Sequence, residues 1–531
     1  MCGWRSPPAH NGVQLWLHLS FAIWFNAWWF SWISHRTASG KAWQITKDLL
    51  VILLADVLEA LTGIRPANAA IEIPAAEIDS RQAVPGCLFV ALPGEHHDGH
   101  DFVAEAFESG ARVALVKRDL RGQFNTIDLR QTPSQEELEK KLSELDGSFC
   151  LLVDEPLTAL QEAARFWRKK LPVEVIGITG SVGKSTTKEV VAEVLSQRYV
   201  TLKNKGNLNN EIGLPLTMLS LTEQHERAVL EMGFYIPGEI NFLCDLASPH
   251  IGVVTNIGTV HASRAGSQED IARGKAELVE ALPEDGHAIL NYDDLLVRAM
   301  ASNTKAHVFF YGMDSSIDLW ADNVESLGLE GIRFLLHYRQ QVNRPAEVLQ
   351  LRVPLIGRHS VQTALRAAAV GLVDGLTWQE IVSGLRSAST ELSLMAVRTE
   401  NGALILDDTY NASPESMLAA LNLLHDLEGR RVAVLGDMLE LGQYERHGHQ
   451  MVGIRAAEVV DELITLGERA KIIAEAALDA GLPAEKITIL ESAEQVIQYL
   501  QPNLNSGDIV LVKGSNLMRM DRIVSALEYP V

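Results

Sequence analysis

Cysteine is scarce in this chain: its 531 residues hold four, Cys2, Cys87, Cys150 and Cys244, far apart and in no metal-binding spacing. That excludes a disulfide framework and reads as isolated thiols in a reducing compartment, so a cytoplasmic location is expected. Positive charge is also in deficit. Lys and Arg total 46 against 68 for Asp and Glu, a formal net charge of −22. A general nucleic-acid binder would carry a basic face, so nucleic acid is excluded as a partner; a local basic pocket for phosphates is not. No short-period repeat occurs. What is present is ordinary globular text, 47% hydrophobic and 21% charged. Such a chain can bury a sizeable core, and its length suggests about three domains.

The first 44 residues are a different material. Seven of the ten tryptophans fall at or before Trp43, and Val13 to Ile33 carries no charge. A run of about that length could cross a bilayer. Tryptophan prefers the interface, however, and His18, Asn26 and Ser31 interrupt the apolar run. The favoured reading is an extension outside the working fold. A membrane anchor is the alternative, and membrane contact is expected only if residues 13–33 are one. A signal peptide is a third reading, without a clear cleavage site.

Three blocks follow, with domains expected at 45–170, 171–391 and 392–531. Ile45 to Leu58 has a helical apolar rhythm with Thr46 as a candidate N-cap. Buried strands are expected at Cys87–Leu92 and Ala111–Val116, then loop or solvated helix from Lys117 to Gly147, then an amphipathic helix to Lys170. In the second block, apolar runs recur at Val173–Ile178, Ala228–Met232, Ile251–Thr255, Ala288–Asn291 and Val308–Tyr311, most of them separated by helical segments. The third block repeats this at Ala403–Asp407, Arg431–Leu435, Glu462–Leu466 and Asp508–Val512. This alternation predicts an α/β fold with largely parallel sheets covered by helices.

The first strand of the second block runs into Gly177-Ile-Thr-Gly-Ser-Val-Gly-Lys-Ser-Thr-Thr-Lys188 and then a helix-like run. Phosphate binding needs this order. Glycines let the backbone turn tightly and aim N–H groups at oxygen anions, and the following helix adds its positive end. The working core is Gly180, Ser181, Val182, Gly183, Lys184 and Ser185, with Thr186 beside it as a further expected ATP contact. Lys184 can reach the β- and γ-phosphates, and the Ser185 hydroxyl can ligate Mg²⁺. Glu231 ends a strand, where ligands collect at the carboxyl edge of an α/β sheet, and can hold Mg²⁺ beside Ser185.

Thr179–Thr187 resembles the nucleotide loop of the Mur ligases. Asn207–Gly213, Asp407–Pro414, Leu435–Gly442 and Val512–Ser515 resemble further motifs of that family, in its order, from about residue 45 to the C-terminus. Within the family they are most similar to the branch that adds D-alanyl-D-alanine to UDP-N-acetylmuramoyl-tripeptide. The resemblance implies three domains: an N-terminal UDP-substrate domain, a central P-loop ATPase domain and a C-terminal Rossmann-like α/β domain. It implies an ATP-dependent peptide ligase of peptidoglycan precursor synthesis, working as a monomer. By the same resemblance His261 and Lys275 would serve a second Mg²⁺, Lys275 as a carbamate. Lys184, Glu231, His261 and Lys275 are then the expected catalytic set. Asn291 and Asp407 would lie at ATP. Asp79, Ser80 and Arg81 would contact the UDP part, while Asn207, Asn209 and Asn210 would contact the acceptor or support the loop. His449 and Lys513 match motif positions without an assigned role.

The chain departs from the family pattern in three places. Ser360 and Thr363 stand where asparagines are usual. Arg398 is only a displaced candidate for the γ-phosphate arginine. Asn516 follows Lys-Gly-Ser where arginine is common. Three rivals therefore stand beside the expected activity: a Mur-type ligase for another amino acid, a non-catalytic nucleotide-binding relative, and a membrane scaffold built on residues 13–33.

Overall fold

The structure is a computed structural model; it describes residues 51–94, 97–259, 262–340, 345–388 and 395–528. The Trp-rich extension, Thr46 and His261 lie outside the described residues. Among the described residues no helix is long and apolar enough to cross a membrane.

Three sheets follow one another along the chain. The first contains β1 (Ala76–Glu77), β2 (Leu88–Val90), β3 (Val113–Val116), β4 (Thr126–Asp128) and β5 (Phe149–Leu152), in the order β1-β2-β3-β5-β4, all parallel. β2, β3 and β5 are fully buried, as expected of parallel strands covered on both faces. Cys87 and Cys150 lie in this core, and burial pushes the Cys150 thiol up to about 12, so it stays protonated and inert. Among the described residues the leading helix runs Leu54–Thr62. Leu53 is held in a bridge to Glu72, and its N–H donates to Asp56 at 2.9 Å, which fixes the helix start there.

The second sheet holds β6 (Glu174–Thr179), β7 (Thr201–Lys203), β8 (Arg227–Glu231), β9 (Ile251–Val254), β10 (His287–Asn291), β11 (His307–Gly312), β12 (Leu319–Ser326), β13 (Ile332–Tyr338) and β14 (Glu347–Val353). Their order is β14-β13-β12-β11-β10-β9-β6-β8-β7. The pairs from β7 to β12 are parallel, whereas β12-β13-β14 is an antiparallel meander. The sequence reading missed this meander because its strands are half-exposed and polar on alternate residues, with no long apolar run. The chain builds outward from β6 in one direction to β8 and β7, and in the other to β9 and β10. β6 is therefore the point where strand order reverses, and a crevice opens at its carboxyl end.

The third sheet contains β15 (Met395–Arg398), β16 (Leu404–Asp408), β17 (Arg430–Gly436), β18 (Glu462–Leu466), β19 (Ile487–Leu490) and β20 (Asp508–Lys513), in the order β15-β16-β20-β17-β18-β19. Only β15 is antiparallel. The helix Pro156–Lys170 joins the first sheet to the second. Its stripe of Ala159, Leu160, Ala163, Ala164 and Trp167 is buried, and Trp167 donates its indole N–H to Leu221 O at 2.9 Å.

Candidate nucleotide-binding site

β6 ends at Thr179, and the helix Lys184–Leu195 begins four residues beyond Gly180. Two glycines are required between them. A Cβ on Gly180, at φ +146°, would lie 1.8 Å from Thr255 Oγ1, and Gly183 takes φ +81° at the helix N-cap. The loop is clamped from β9's side of the crevice. Thr255 Oγ1 donates to Val182 O at 2.7 Å, and Asn256 Oδ1 accepts from Val182 N at 2.9 Å. The Gly258 N–H donates to Ser181 Oγ at 2.8 Å. Asn256 was not singled out from the sequence, because nothing in its own segment marks it; only the parallel pairing of β6 and β9 brings it there.

Two lysines share one carbonyl. Lys184 Nζ donates to Gly180 O at 3.0 Å, and buried Lys275 Nζ donates to the same oxygen at 3.1 Å. Burial lowers the Lys184 ammonium from its usual range, opposed by the nearby charge of Glu231. Burial pushes Lys275 well below that range, and Lys184 adds to the effect. Lys275 lies over the Phe234 ring, 4.6 Å from its centroid, and Gly274 makes room: a Cβ there would meet the ring at 2.1 Å.

Glu231 ends β8, in register with Ile178 of β6, and is buried. Buried Asn204 holds it from behind, accepting from Glu231 N at 2.9 Å and donating to Glu231 O at 3.1 Å. Asn209 donates to Glu231 Oε1 at 2.9 Å. Oε2 is buried with no hydrogen-bond partner. An orphaned buried carboxylate oxygen, close enough to Lys184 to act on its charge, is a donor that suits a hard cation. Among the described residues no group of three or more His, Cys, Asp or Glu could hold a metal. One carboxylate with a hydroxyl still suits Mg²⁺, which usually keeps waters and substrate phosphates as its remaining ligands.

The other expected residues divide. Asn210 Oδ1 accepts from Gly213 N at 2.9 Å, which starts the helix Gly213–Leu219, while Asn207 is exposed. Asn291 turns inward, donating to Thr255 O at 3.2 Å and accepting from Asp293 N at 3.1 Å. Asp407 accepts from Thr409 N and Oγ1, at 3.1 and 2.7 Å. Its neighbour Asp408 pairs at 2.8 Å with buried Lys513, which also donates to Asn411 O. His449 is buried; Nδ1 donates to Glu445 O at 2.7 Å and Nε2 accepts from Met438 N at 3.1 Å, so it fixes the Leu435–Gly442 turn. In the first block, Arg81 and Asp79 form an exposed pair at 2.7 Å that holds Asp79 down at about 2, and Ser80 is buried. Arg398 does not reach the crevice. It pairs in register with Leu404, at the opposite end of β16 from Asp407, and donates to Gly402 O.

The third sheet's loops meet the crevice. Glu415 Oε1 lies 3.4 Å from Thr259 N, Glu440 O accepts from Ser263 N at 3.2 Å, and Tyr444 Oη accepts from Gln268 N at 3.3 Å.

A reversal-point loop with paired lysines, a strand-end carboxylate with a free oxygen, and a further α/β sheet docked over the crevice define an α/β nucleotide-binding enzyme. Three family models match in series: the Mur ligase family catalytic domain over 72–142, the Mur ligase middle domain over 178–371, and the Mur ligase glutamate ligase domain over 394–516. The UDP-N-acetylmuramoyl-tripeptide--D-alanyl-D-alanine ligase of Bacillus subtilis is 37% identical over 85% of this chain and 92% of its own length. The chain belongs to the Mur ligase family. A crystal structure of MurF from Acinetobacter baumannii superposes with a TM-score of 0.73 at 30% identity, covering 90% of this chain and 99% of that one. The MurF ligase of Thermotoga maritima in complex with ADP gives 0.69 at 26%, covering 88% and 98%.

Proposed function

We propose that this chain is the ATP-dependent ligase that joins D-alanyl-D-alanine to the terminal carboxylate of UDP-N-acetylmuramoyl-tripeptide, in peptidoglycan precursor synthesis. The observation that carries this reading is the site around Gly180 within a chain 37% identical to a ligase of that name. The N–H groups at the start of the helix Lys184–Leu195, those of Ser181 and Val182 being held by Asn256, bind the polyphosphate together with Lys184 and offset charge as the γ-phosphoryl passes to the substrate carboxylate. The resulting acyl phosphate is attacked by the dipeptide amine, and phosphate leaves. Ser185 and Glu231 would hold Mg²⁺, which would supply further charge neutralisation.

Lys275 as a carbamate, with His261, would serve a second ion. Carbamylation needs the neutral amine to attack CO₂, and the burial of Lys275 beside Lys184 favours that form. Asp79, Ser80 and Arg81 are proposed to meet the UDP part. Asn209 supports the loop through Glu231, and Asn210 supports it as a helix cap. The domain limits 45–170, 171–391 and 392–531, with the roles of UDP anchor, ATPase and closing domain, belong to the same proposal. So do a monomeric state and a cytoplasmic location.

The test is a coupled ADP-release assay with UDP-N-acetylmuramoyl-tripeptide, with and without D-alanyl-D-alanine. Release that needs both substrates is expected. Release with glutamate or another amino acid instead would move the chain to a different branch of the family, and no release with any acceptor would make it a non-catalytic relative.

A further inference from the structure

The helix Val361–Val373 carries one charged residue at a position the sequence pattern would give to an apolar side chain. Arg366 sits among Ala364, Leu365, Ala367 and Ala368 and is buried, 4% exposed. Its Nε donates to Gln362 O at 3.0 Å, within its own helix. Its Nη1 donates to Thr187 Oγ1 at 2.6 Å, in the first turn after the glycine loop. Nη1 also lies 3.3 Å from where a Cβ on Gly183 would stand. Among the described residues Nη2 has no hydrogen-bond partner, and no carboxylate lies within ion-pair distance of the guanidinium. The Tyr311 ring lies beneath it, 5.9 Å from centroid to guanidinium carbon, and the buried His359 imidazole is close enough to feel its charge.

A buried cation without a counter-charge is costly. Here it also stands behind a helix N-terminus, whose partial positive charge repels it. Burial accordingly lowers the basicity of Arg366. These costs disappear when an anion reaches the same helix end. Arg398 is turned away from the crevice, so the positive charge that the family resemblance places there is missing.

We propose that Arg366 is a positioning residue of the nucleotide site: its guanidinium ties Thr187 and the first helical turn to the Val361–Val373 helix, and its unpaired charge is complemented by the bound polyphosphate. This rests on the reading of Gly180–Thr186 as a nucleotide loop. The charge reaches the phosphates through the loop backbone, so Arg366 adds affinity without touching the transferred group.

The experiment uses the full chain and measures two things: calorimetric affinity for ADP with Mg²⁺, and melting temperature with and without ADP. Arg366→Gln is expected to weaken ADP binding about tenfold, the value of one charge-assisted interaction. Its ligand-free melting temperature should be unchanged or higher, because the unpaired charge is gone. Arg366→Lys should recover most of the affinity, and Thr187→Val should lose less than Arg366→Gln. A structural role predicts the reverse: a lower ligand-free melting temperature, or no cooperative melt, with the ADP affinity of any folded variant intact. That result overturns the proposal, as does an Arg366→Lys variant no tighter than Arg366→Gln. If the unaltered chain binds neither ADP nor ATP, the loop reading itself falls and takes this inference with it. If it binds and the variants match it, only the inference falls.

Discussion

Lys184, Glu231 and Asn204 form a chain of dependence. Lys184 is the group that can follow charge onto the transferred phosphoryl, so Lys184→Ala should lower turnover by at least about a hundredfold in the ADP-release assay, with the protein still folded. Glu231→Gln keeps the bond from Asn209 but removes the anionic oxygen. Its expected signature is a higher Mg²⁺ requirement, read by titrating Mg²⁺ at fixed ATP. Asn204 was passed over in the sequence because it precedes the Asn-rich segment it helps to arrange. It satisfies both backbone groups of Glu231. Asn204→Ala leaves these buried groups unpaired, at about 1–3 kcal/mol each. A lower urea midpoint together with a raised Mg²⁺ requirement would be the outcome; unchanged Mg²⁺ dependence would separate Asn204 from the site.

Among the elements, the β6–helix junction and the helix Pro156–Lys170 have opposite tolerances. At the junction the limit is space. Gly180→Ala places a methyl on Thr255 Oγ1, so the loop must turn away from the β9 side. ADP affinity should fall more than about tenfold while the melting temperature changes little, since the loop carries no core. The helix Pro156–Lys170 has the opposite role. Trp167 fills the space between the first two sheets, and Trp167→Ala should cost about 3–5 kcal/mol, read by urea unfolding, with nucleotide affinity preserved in the folded fraction. The glycine loop is legible because strand, glycines, lysine and helix are contiguous in the chain. The antiparallel strands β12 to β14 are not, because their polar alternate residues hide them among loops. The strands Thr126–Asp128 and Phe149–Leu152 of the first sheet are likewise hidden in the sequence, since short parallel strands take their apolar neighbours from elsewhere in the fold.

For the whole molecule, the proposed reaction requires the third sheet to dock on the crevice, so that water is excluded from the acyl phosphate. The docking turn is built on Gly442, at φ +55°, where a Cβ would lie 2.8 Å from Ser263 N. Gly442→Val should slow turnover while leaving ADP affinity within about twofold, because it obstructs docking and not the loop. That turn is also pH-sensitive through His449. Unfolded, its imidazole takes up a proton near the usual value of 6.5; folded, burial lowers that value, with Asp437 and Glu445 opposing and Arg469 assisting. The unfolded chain therefore binds more protons below that pH, and stability falls as pH drops through the window. Urea midpoints at about pH 7.5 and 5.5 should show this loss, and His449→Gln should reduce it.

By itself the sequence determined the succession of three α/β blocks and the position of the glycine loop between a strand and a helix; it offered Lys184, Ser185 and Glu231 as candidates there, with Lys275 added by the family resemblance. Those features are written in runs of adjacent residues, where strand, glycine bend and helix follow one another. Tertiary structure alone decided that Lys184 and Lys275 meet at one carbonyl, that Asn204 and Asn256 hold the site, and that Arg366 stands behind it without a counter-charge. Each of these depends on strand order and helix packing, which bring together residues up to 179 positions apart, and no local pattern along the chain encodes such a meeting.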